Sequence, residues 1–156
     1  MSLNEKPALQ TNQPKTMRSM RILLVAILII MTIQGWFGDT VNIFVAPANG
    51  ITPPPFSMAG FFQLVNSSSF LLIYHTYEGV LLVVLAVVSV VLSFTWSKSR
   101  AVRICTIIAM LAVISAGVGG FLFVLSGYAN GGNSAQMGGS FIGAYAFYFM
   151  ALYYAK

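Results

Sequence analysis

Long apolar runs separated by short polar segments dominate the chain. The runs cover about residues 20–44, 68–96, 101–128 and 134–155, and each is rich in aliphatic or aromatic residues. A helix that spans the hydrocarbon core of a bilayer needs about 20 predominantly apolar residues. The pattern therefore predicts an all-α, polytopic membrane protein folded as a four-transmembrane-helix bundle.

The polar segments divide the chain further. Residues 1–16 contain Asn, Gln, Pro, Thr and Lys and are predicted to be a disordered tail, which leaves 17–156 as the membrane domain. Residues 45–67 form a loop, because Pro53, Pro54 and Pro55 cannot continue a helix. Within it, residues 56–65 are amphiphilic, and the pattern leaves open whether they lie at the interface or insert.

Composition supports lipid as the solvent of this chain. Hydrophobic residues make up 58% of it and charged residues 7%, against about 25% charged residues in a soluble domain. The single cysteine, Cys105, excludes an intrachain disulfide and a CxxC metal site. We interpret Cys105 as a small residue in helix packing.

The basic residues predict the topology. A four-span chain that begins in the cytoplasm places all eight on the cytoplasmic side, as the positive-inside rule requires: Lys6, Lys15, Arg18, Arg21, Lys98, Arg100, Arg103 and Lys156. The expected location is a cell membrane, with both termini inside. These residues flank apolar runs instead of forming a face, so nucleic acid is not an expected partner.

A secretory signal peptide is the competing interpretation of the N-terminal run. Basic residues, an apolar run and Ala46-Pro47-Ala48 resemble the signal for cleavage. Gln34, Asp39 and Asn42 interrupt the approach to such a site. We therefore expect the first run to remain as a span.

Ionisable residues inside the predicted spans are the strongest functional signal. A charged side chain at the centre of a membrane helix costs at least about 2.5 kcal/mol, and it needs a partner, a water cavity or a ligand. His75 and Glu78 lie three positions apart and share a helix face. That face is a stripe of small and polar residues, predicted to point into the bundle: Gly79, Leu82, Ala86, Ser89 and Ser93. The outer half of the bundle is also expected to hold Gln34, Asp39, Gln136 and Met137.

Three functions are compatible with this cluster. The leading one is an accessory or structural subunit of a membrane complex, in which His75 and Glu78 form a hydrogen-bonded pair with Gln34 or Gln136. Its expected partners are the lipid bilayer and other membrane subunits or further copies of the chain. A hypothesis ranked below haem binding is a proton or ion relay through Glu78, His75 and Asp39, against which Leu82 and Ala86 leave a dry gap on the inner side.

The remaining hypothesis is b-type haem binding in electron transfer. His75 would be one axial ligand, and Met137 or a residue of a partner the other. Gly79, Gly139 and Gly143 would make room for the ring, although glycines at this spacing are more often helix-packing positions. Most membrane cytochromes that carry electrons use histidine pairs, and this chain has one histidine.

Catalysis of the soluble-enzyme type has little support. The chain contains no HExxH motif, no phosphate-binding loop and no evident pair of nucleophile and base. His75 could ligate a metal with Glu78 and Met137, but this ligand set is small and mixed in softness. The sequence therefore favours a protein that is not an enzyme.

A series of short motifs resembles a family. Gly38-Asp39-Thr40-Val41-Asn42-Ile43-Phe44-Val45, then His75-x3-Gly79, then Met137 just inside the last run, is similar to a group of small four-helix membrane proteins of archaea and bacteria. The resemblance covers most of residues 30–156. It implies the four-helix fold and a prokaryotic cell membrane, and it brings no activity. If the histidine of that group is a haem ligand, His75 is its counterpart.

Overall fold

The computed structural model describes residues 15–42 and 56–155, which form helices joined by short connections. Five helices are present in these residues: α1 (Lys15–Thr40), α2 (Met58–Asn66), α3 (Phe70–Trp96), α4 (Arg100–Leu125) and α5 (Gly131–Tyr154). The predicted all-α class is confirmed. By length and composition, α1, α3 and α4 could each cross a membrane. The 24-residue α5 contains more Gly and Tyr than these three, and its most apolar stretch is less apolar than theirs.

The helix ends differ from the predicted spans by a few residues, for local reasons. α1 begins at Lys15, inside the predicted tail, whose other residues up to 14 lie outside the described ones. α4 ends at Leu125 because Gly127 and Tyr128 adopt positive φ angles of 65° and 64°. α5 begins at Gly131 because the Asn130 side chain accepts hydrogen bonds from the next backbone N–H groups and caps the helix.

The four long helices form a ring in which neighbours are antiparallel. α1 packs on α3 and α5, and α4 packs on the same two helices from the opposite side. The C-terminal ends of α1 and α4 therefore lie beside the N-terminal ends of α3 and α5. The short α2 contacts α3 and α4 at this end, which we call the α2 end. Within predicted segment 56–65, Phe61 is buried there.

All the described Lys and Arg residues lie at the opposite end of the ring, which we call the basic end. Three are in the first turns of α1 and three surround the turn from α3 to α4: Lys15, Arg18, Arg21, Lys98, Arg100 and Arg103. The Arg103 guanidinium donates to the Ser97 carbonyl oxygen at 2.8 Å and lies over the Phe94 ring, 5.2 Å from its centroid. These contacts tie the start of α4 to the end of α3.

Two apolar clusters fill the interior of the ring, one towards each end. The larger one, towards the basic end, includes Met20, Leu24, Met31, Ala86, Val102, Ala109, Tyr148 and Ala151. The smaller one, at the α2 end, comprises Val41, Phe61, Val65, Leu72, Val124 and Leu125. Between the clusters lies a polar layer, which we define as Gln34, His75, Glu78, Ser115, Gln136 and Ser140. Every long helix thus carries a polar side chain at the same level.

The predicted inward stripe of α3 is confirmed. Its buried residues are Leu72, Glu78, Leu82, Ala86, Ser89 and Ser93, and valines such as Val84 and Val91 are exposed on the other side. The reason is the helical period, which brings residues three and four positions apart onto one face. Glu78 is eight residues from the start of α3, or about 12 Å from the α2 end of that helix at 1.5 Å per residue.

Candidate functional site

Two glycines create the space in which the polar side chains of α1 and α3 meet. A methyl group added at Gly38 would lie 2.9 Å from His75 Cε1, so the imidazole packs directly on the α1 backbone. A methyl group at Gly79 would lie 3.3 Å from Gln34 Nε2. That same nitrogen donates to the His75 carbonyl oxygen at 3.0 Å. We call Gln34, Gly38, His75, Glu78 and Gly79 the α1–α3 cluster.

Three polar atoms of this cluster are buried without a hydrogen-bond partner among the described residues: Gln34 Oε1, His75 Nδ1 and Glu78 Oε2. The predicted His75–Glu78 pair shares a face, but these unpartnered atoms show that the cluster is not a closed network. Buried polar groups in folded proteins are nearly always satisfied by protein, water or ligand. The α1–α3 cluster is therefore the part of the described chain that most needs a further molecule.

Glu78 is the member of the cluster whose burial is least compensated by neighbouring charges. Its side chain is 8% exposed, and no described Lys or Arg lies at its level of the bundle, since all of them are at the basic end. Lys98 is 20 residues further along, or about 30 Å along the helix axis. An ionised carboxylate removed from water without a counter-charge is strongly unfavourable. Glu78 thus requires a proton or a cation that the described residues do not supply.

Glu78 also forms part of the wall of an open groove between α1 and α3. The groove has a volume of about 490 Å³. Its walls are Ile30 and Ile33 of α1 and Phe70, Ile73, Tyr74, Tyr77, Glu78 and Leu81 of α3. Apart from the carboxyl and two phenol groups, these residues are wholly apolar. The groove opens on the outer surface of the helix ring, away from the bundle interior, where Tyr77 and Leu81 are about half exposed.

A second polar cluster joins α4 to α5. Ser115 Oγ and Ser140 Oγ are 2.9 Å apart, and Gln136 Nε2 donates to the Ser115 carbonyl oxygen at 3.4 Å. Close by, a methyl group at Gly119 would lie 2.9 Å from the backbone nitrogen of Met137. The two backbones are thus in near contact. This cluster is internally bonded and fixes the register of the two helices.

The structure separates the predicted site residues into two groups. Gln34, His75, Glu78 and Gly79 come together between α1 and α3. Gln136, on α5, contacts Ser115 of α4 instead of approaching His75, and Asp39 is exposed. No contact among the described residues joins Asp39 or Gln136 to Glu78, so their membership of one cluster stays a prediction.

The residues proposed for haem binding are also divided. The Met137 side chain packs on α4, where its Sδ would lie 3.1 Å from a methyl group at Gly120, while His75 packs on Gly38 of α1. A methyl group at Gly139 or Gly143 would meet no atom within 4 Å, so both glycines face open space. Haem ligation by His75 and Met137 stays a prediction, and so does the space that Gly139 and Gly143 would leave for the haem ring.

Metal binding at His75 also stays a prediction. Within residues 15–42 and 56–155, no three His, Cys, Asp or Glu side chains come together. Cys105 is buried in the larger apolar cluster, in agreement with its interpretation as a packing residue.

Sequence reasoning did not identify the groove or the α4–α5 cluster. Phe70, Tyr74, Tyr77 and Leu81 follow a spacing of four, three and four, which marks one helix face and could have indicated the groove wall. By contrast, the pairing of Ser115 with Ser140 depends on which helices are neighbours. No periodicity within a single helix contains that information.

Comparison of the chain with protein-family models, with curated proteins and with solved structures found no match. The described fold and site therefore define a class only. The chain is an all-helical protein with three long apolar helices that suggest membrane insertion, and with a polar layer between two apolar clusters.

Proposed function

We propose that the chain is a four-span membrane protein with both termini in the cytoplasm. The antiparallel ring supports this, because α5 occupies the fourth position between α1 and α4 and its 24 residues extend about 36 Å, enough for a hydrocarbon core of about 30 Å. All described basic residues are at one end, and the positive-inside rule assigns that end to the cytoplasm. The α2 end then faces outward.

Labelling of single cysteines in intact cells tests this topology. In a Cys105→Ala background, Ala129→Cys at the α2 end should react with a membrane-impermeant maleimide. Lys98→Cys at the basic end should react only after the cells are permeabilised. Both positions are exposed, so accessibility of the side chain itself does not limit the reaction. The reverse pattern would contradict the proposed orientation.

We propose that the protein takes up and releases a proton at Glu78 from the outer side of the membrane. The observation that carries this proposal is the buried, unpartnered Glu78 carboxyl on the wall of an open groove. Ionisable groups at such depth generally mark binding sites or proton pathways. Because no described Lys or Arg lies near enough to offset its charge, Glu78 ionises favourably when another positive group takes the place of its proton.

Among the described residues, polar groups lie near Glu78 towards the α2 end of the bundle and not directly towards the basic end. Towards the α2 end, His75 and its unpartnered Nδ1 lie about one helical turn away, and Asp39 is exposed near the end of α1. Towards the basic end, the next inward positions are Leu82 and Ala86, which are buried and apolar. Only beyond them does Ser89 approach the Tyr148 hydroxyl at 3.4 Å. The arrangement favours proton exchange with the outside over free passage through the bundle.

Infrared difference spectroscopy of the protein in lipid nanodiscs tests the proposal. A change in the pH of the solution should produce a carboxyl C=O band that Glu78→Gln abolishes and Asp39→Asn retains. Asp39→Asn is a matched control, since it removes an exposed carboxyl from the same half of the bundle. Identical spectra for wild type and Glu78→Gln would contradict the proposal. Proton flux into liposomes, compared for wild type and Glu78→Gln, then distinguishes binding from transport.

A second candidate function is an accessory or structural subunit of a membrane complex, or of an assembly of copies of this chain. The hydrogen bonds that join different helices favour it, because they fix helix register and perform no chemistry. Examples are Gln34 to the His75 carbonyl and Asn42 Nδ2 to Ser134 Oγ at 3.3 Å. A pull-down under native conditions should return a defined larger complex. Recovery of a lone monomer would contradict this candidate.

A further inference from the structure

The shape and lining of the α1–α3 groove restrict what can bind there. Its volume of about 490 Å³ is within the range of sites for small organic molecules, roughly 300–1,000 Å³. Aliphatic and aromatic side chains form almost all of its surface, and it opens where the bundle would face lipid. A suitable ligand is therefore hydrophobic, of moderate size, and able to enter from the bilayer.

The charge of the groove restricts the ligand further. Glu78, more than nine-tenths buried, presents a carboxyl whose Oε2 has no partner, and the described Lys and Arg residues all lie at the far end. The groove therefore has a fixed site for one positive charge. Phe70, Tyr74 and Tyr77 add aromatic rings, whose faces attract organic cations over distances up to about 6 Å.

We infer that the groove binds a lipophilic monovalent cation, such as a quaternary onium ion or a protonated hydrophobic amine, in exchange for the proton of Glu78. The exchange is balanced in charge, because the neutral carboxyl releases one proton and the resulting carboxylate pairs with one cation. This inference rests on the proposed proton exchange at Glu78 and adds the class of ligand that replaces the proton.

Tetraphenylphosphonium is a suitable probe, and triphenylphosphine oxide is a neutral control with the same kind of aromatic groups. The full chain in nanodiscs should bind the cation saturably and release protons as it does so. The neutral control should show only the non-saturable partitioning of empty nanodiscs. Glu78→Gln should weaken cation binding roughly 30-fold or more, the usual effect of removing one partner of a buried charge pair.

Two further variants keep the test informative if Glu78→Gln folds poorly. Ile33→Phe enlarges a groove-lining residue and leaves the carboxyl in place, and it should weaken binding about tenfold. Ile29→Phe makes the same change on the outward face of α1, outside the groove, and should leave binding unaffected. Equal binding by both variants would contradict the groove as the site.

The outcomes separate the inference from the proposed function. If the Glu78 infrared band is present but the cation does not bind, the inference is wrong and the proposed proton exchange stands. If the band is absent, both are wrong. If cross-linking from Ile33→Cys shows that a second copy of the chain or another protein fills the groove, the groove is a protein interface and the inference is again wrong.

Discussion

Replacement of Gly119 by alanine should destabilise the bundle by forcing α4 and α5 apart. The added methyl group would lie 2.9 Å from the Met137 backbone nitrogen and 3.0 Å from the Asn133 carbonyl oxygen. Both atoms belong to the backbone, so no side-chain rotation can relieve the contact. Ordinary non-bonded separations are about 3.5–4.0 Å, which means that the helices must separate by roughly half an ångström or more.

The same helix provides matched controls for this substitution. A methyl group at Gly117 meets no atom within 4 Å, and one at Gly120 meets the flexible end of Met137, with Sδ at 3.1 Å. All three changes alter helix propensity equally, by about 1 kcal/mol in favour of alanine, so this contribution cancels in the comparison. Relative to Gly117→Ala, we expect Gly119→Ala to lower the free energy of unfolding by about 1–3 kcal/mol. Gly120→Ala should fall between them, because a methionine can repack.

Unfolding by SDS in mixed micelles, followed by far-UV circular dichroism, measures these differences. The expected order of stability is Gly117→Ala, then Gly120→Ala, then Gly119→Ala. If Gly119→Ala is as stable as Gly117→Ala, the close approach of α4 to α5 does not exist. The position of α5 in the ring would then lose its main support.

Three further predictions concern the rest of the chain. Gly38→Ala should destabilise the protein by about 1–3 kcal/mol relative to Gly117→Ala, and His75→Ala should abolish that difference in a double-mutant cycle, since the methyl group would lie 2.9 Å from the imidazole. Burial raises the pKa of the Tyr128 phenol above its ordinary value of about 10, so stability should fall as pH rises past 10 and should fall less in Tyr128→Phe, as melting curves between pH 9 and about 11 would show. Because the Met137 side chain packs on α4 and His75 packs on α1, we expect the isolated chain to show no Soret band in oxidised or dithionite-reduced spectra; a band after haem supplementation would instead support the haem hypothesis.

Single-helix properties could be predicted from the sequence, because they depend on period and composition. The inward stripe of α3 followed from the 3.6-residue period, and Glu78, Ser89 and Ser93 are buried as expected. The ends of the helices depend on local backbone chemistry that hydropathy does not report. α4, for example, stops where the Gly127 and Tyr128 N–H groups turn back to the Val124 and Phe123 carbonyl oxygens, each at 3.0 Å.

Contacts between helices were harder to predict, because periodicity gives the face of a helix and not its neighbour. Gln34 was expected to bind a side chain of α3, yet its amide donates to the backbone of His75. Gln136 was expected near His75 and instead lies beside Ser115. In both cases a long, flexible amide donates to an acceptor on a neighbouring helix, and only the packing of the ring determines which acceptor that is.

Glu78 differs from the amides and hydroxyls of the polar layer, which form hydrogen bonds with one another or with the backbone. The Gln34 amide donates to the His75 carbonyl, the Gln136 amide donates to Ser115, and the Ser115 and Ser140 hydroxyls bond to each other. These bonds hold the helices in register, and none of them reaches Glu78. Glu78 Oε2 is left as a buried acceptor without a hydrogen-bond partner among the described residues. The bonds that stabilise the bundle therefore leave the Glu78 carboxyl available for the proton or cation that we propose it exchanges.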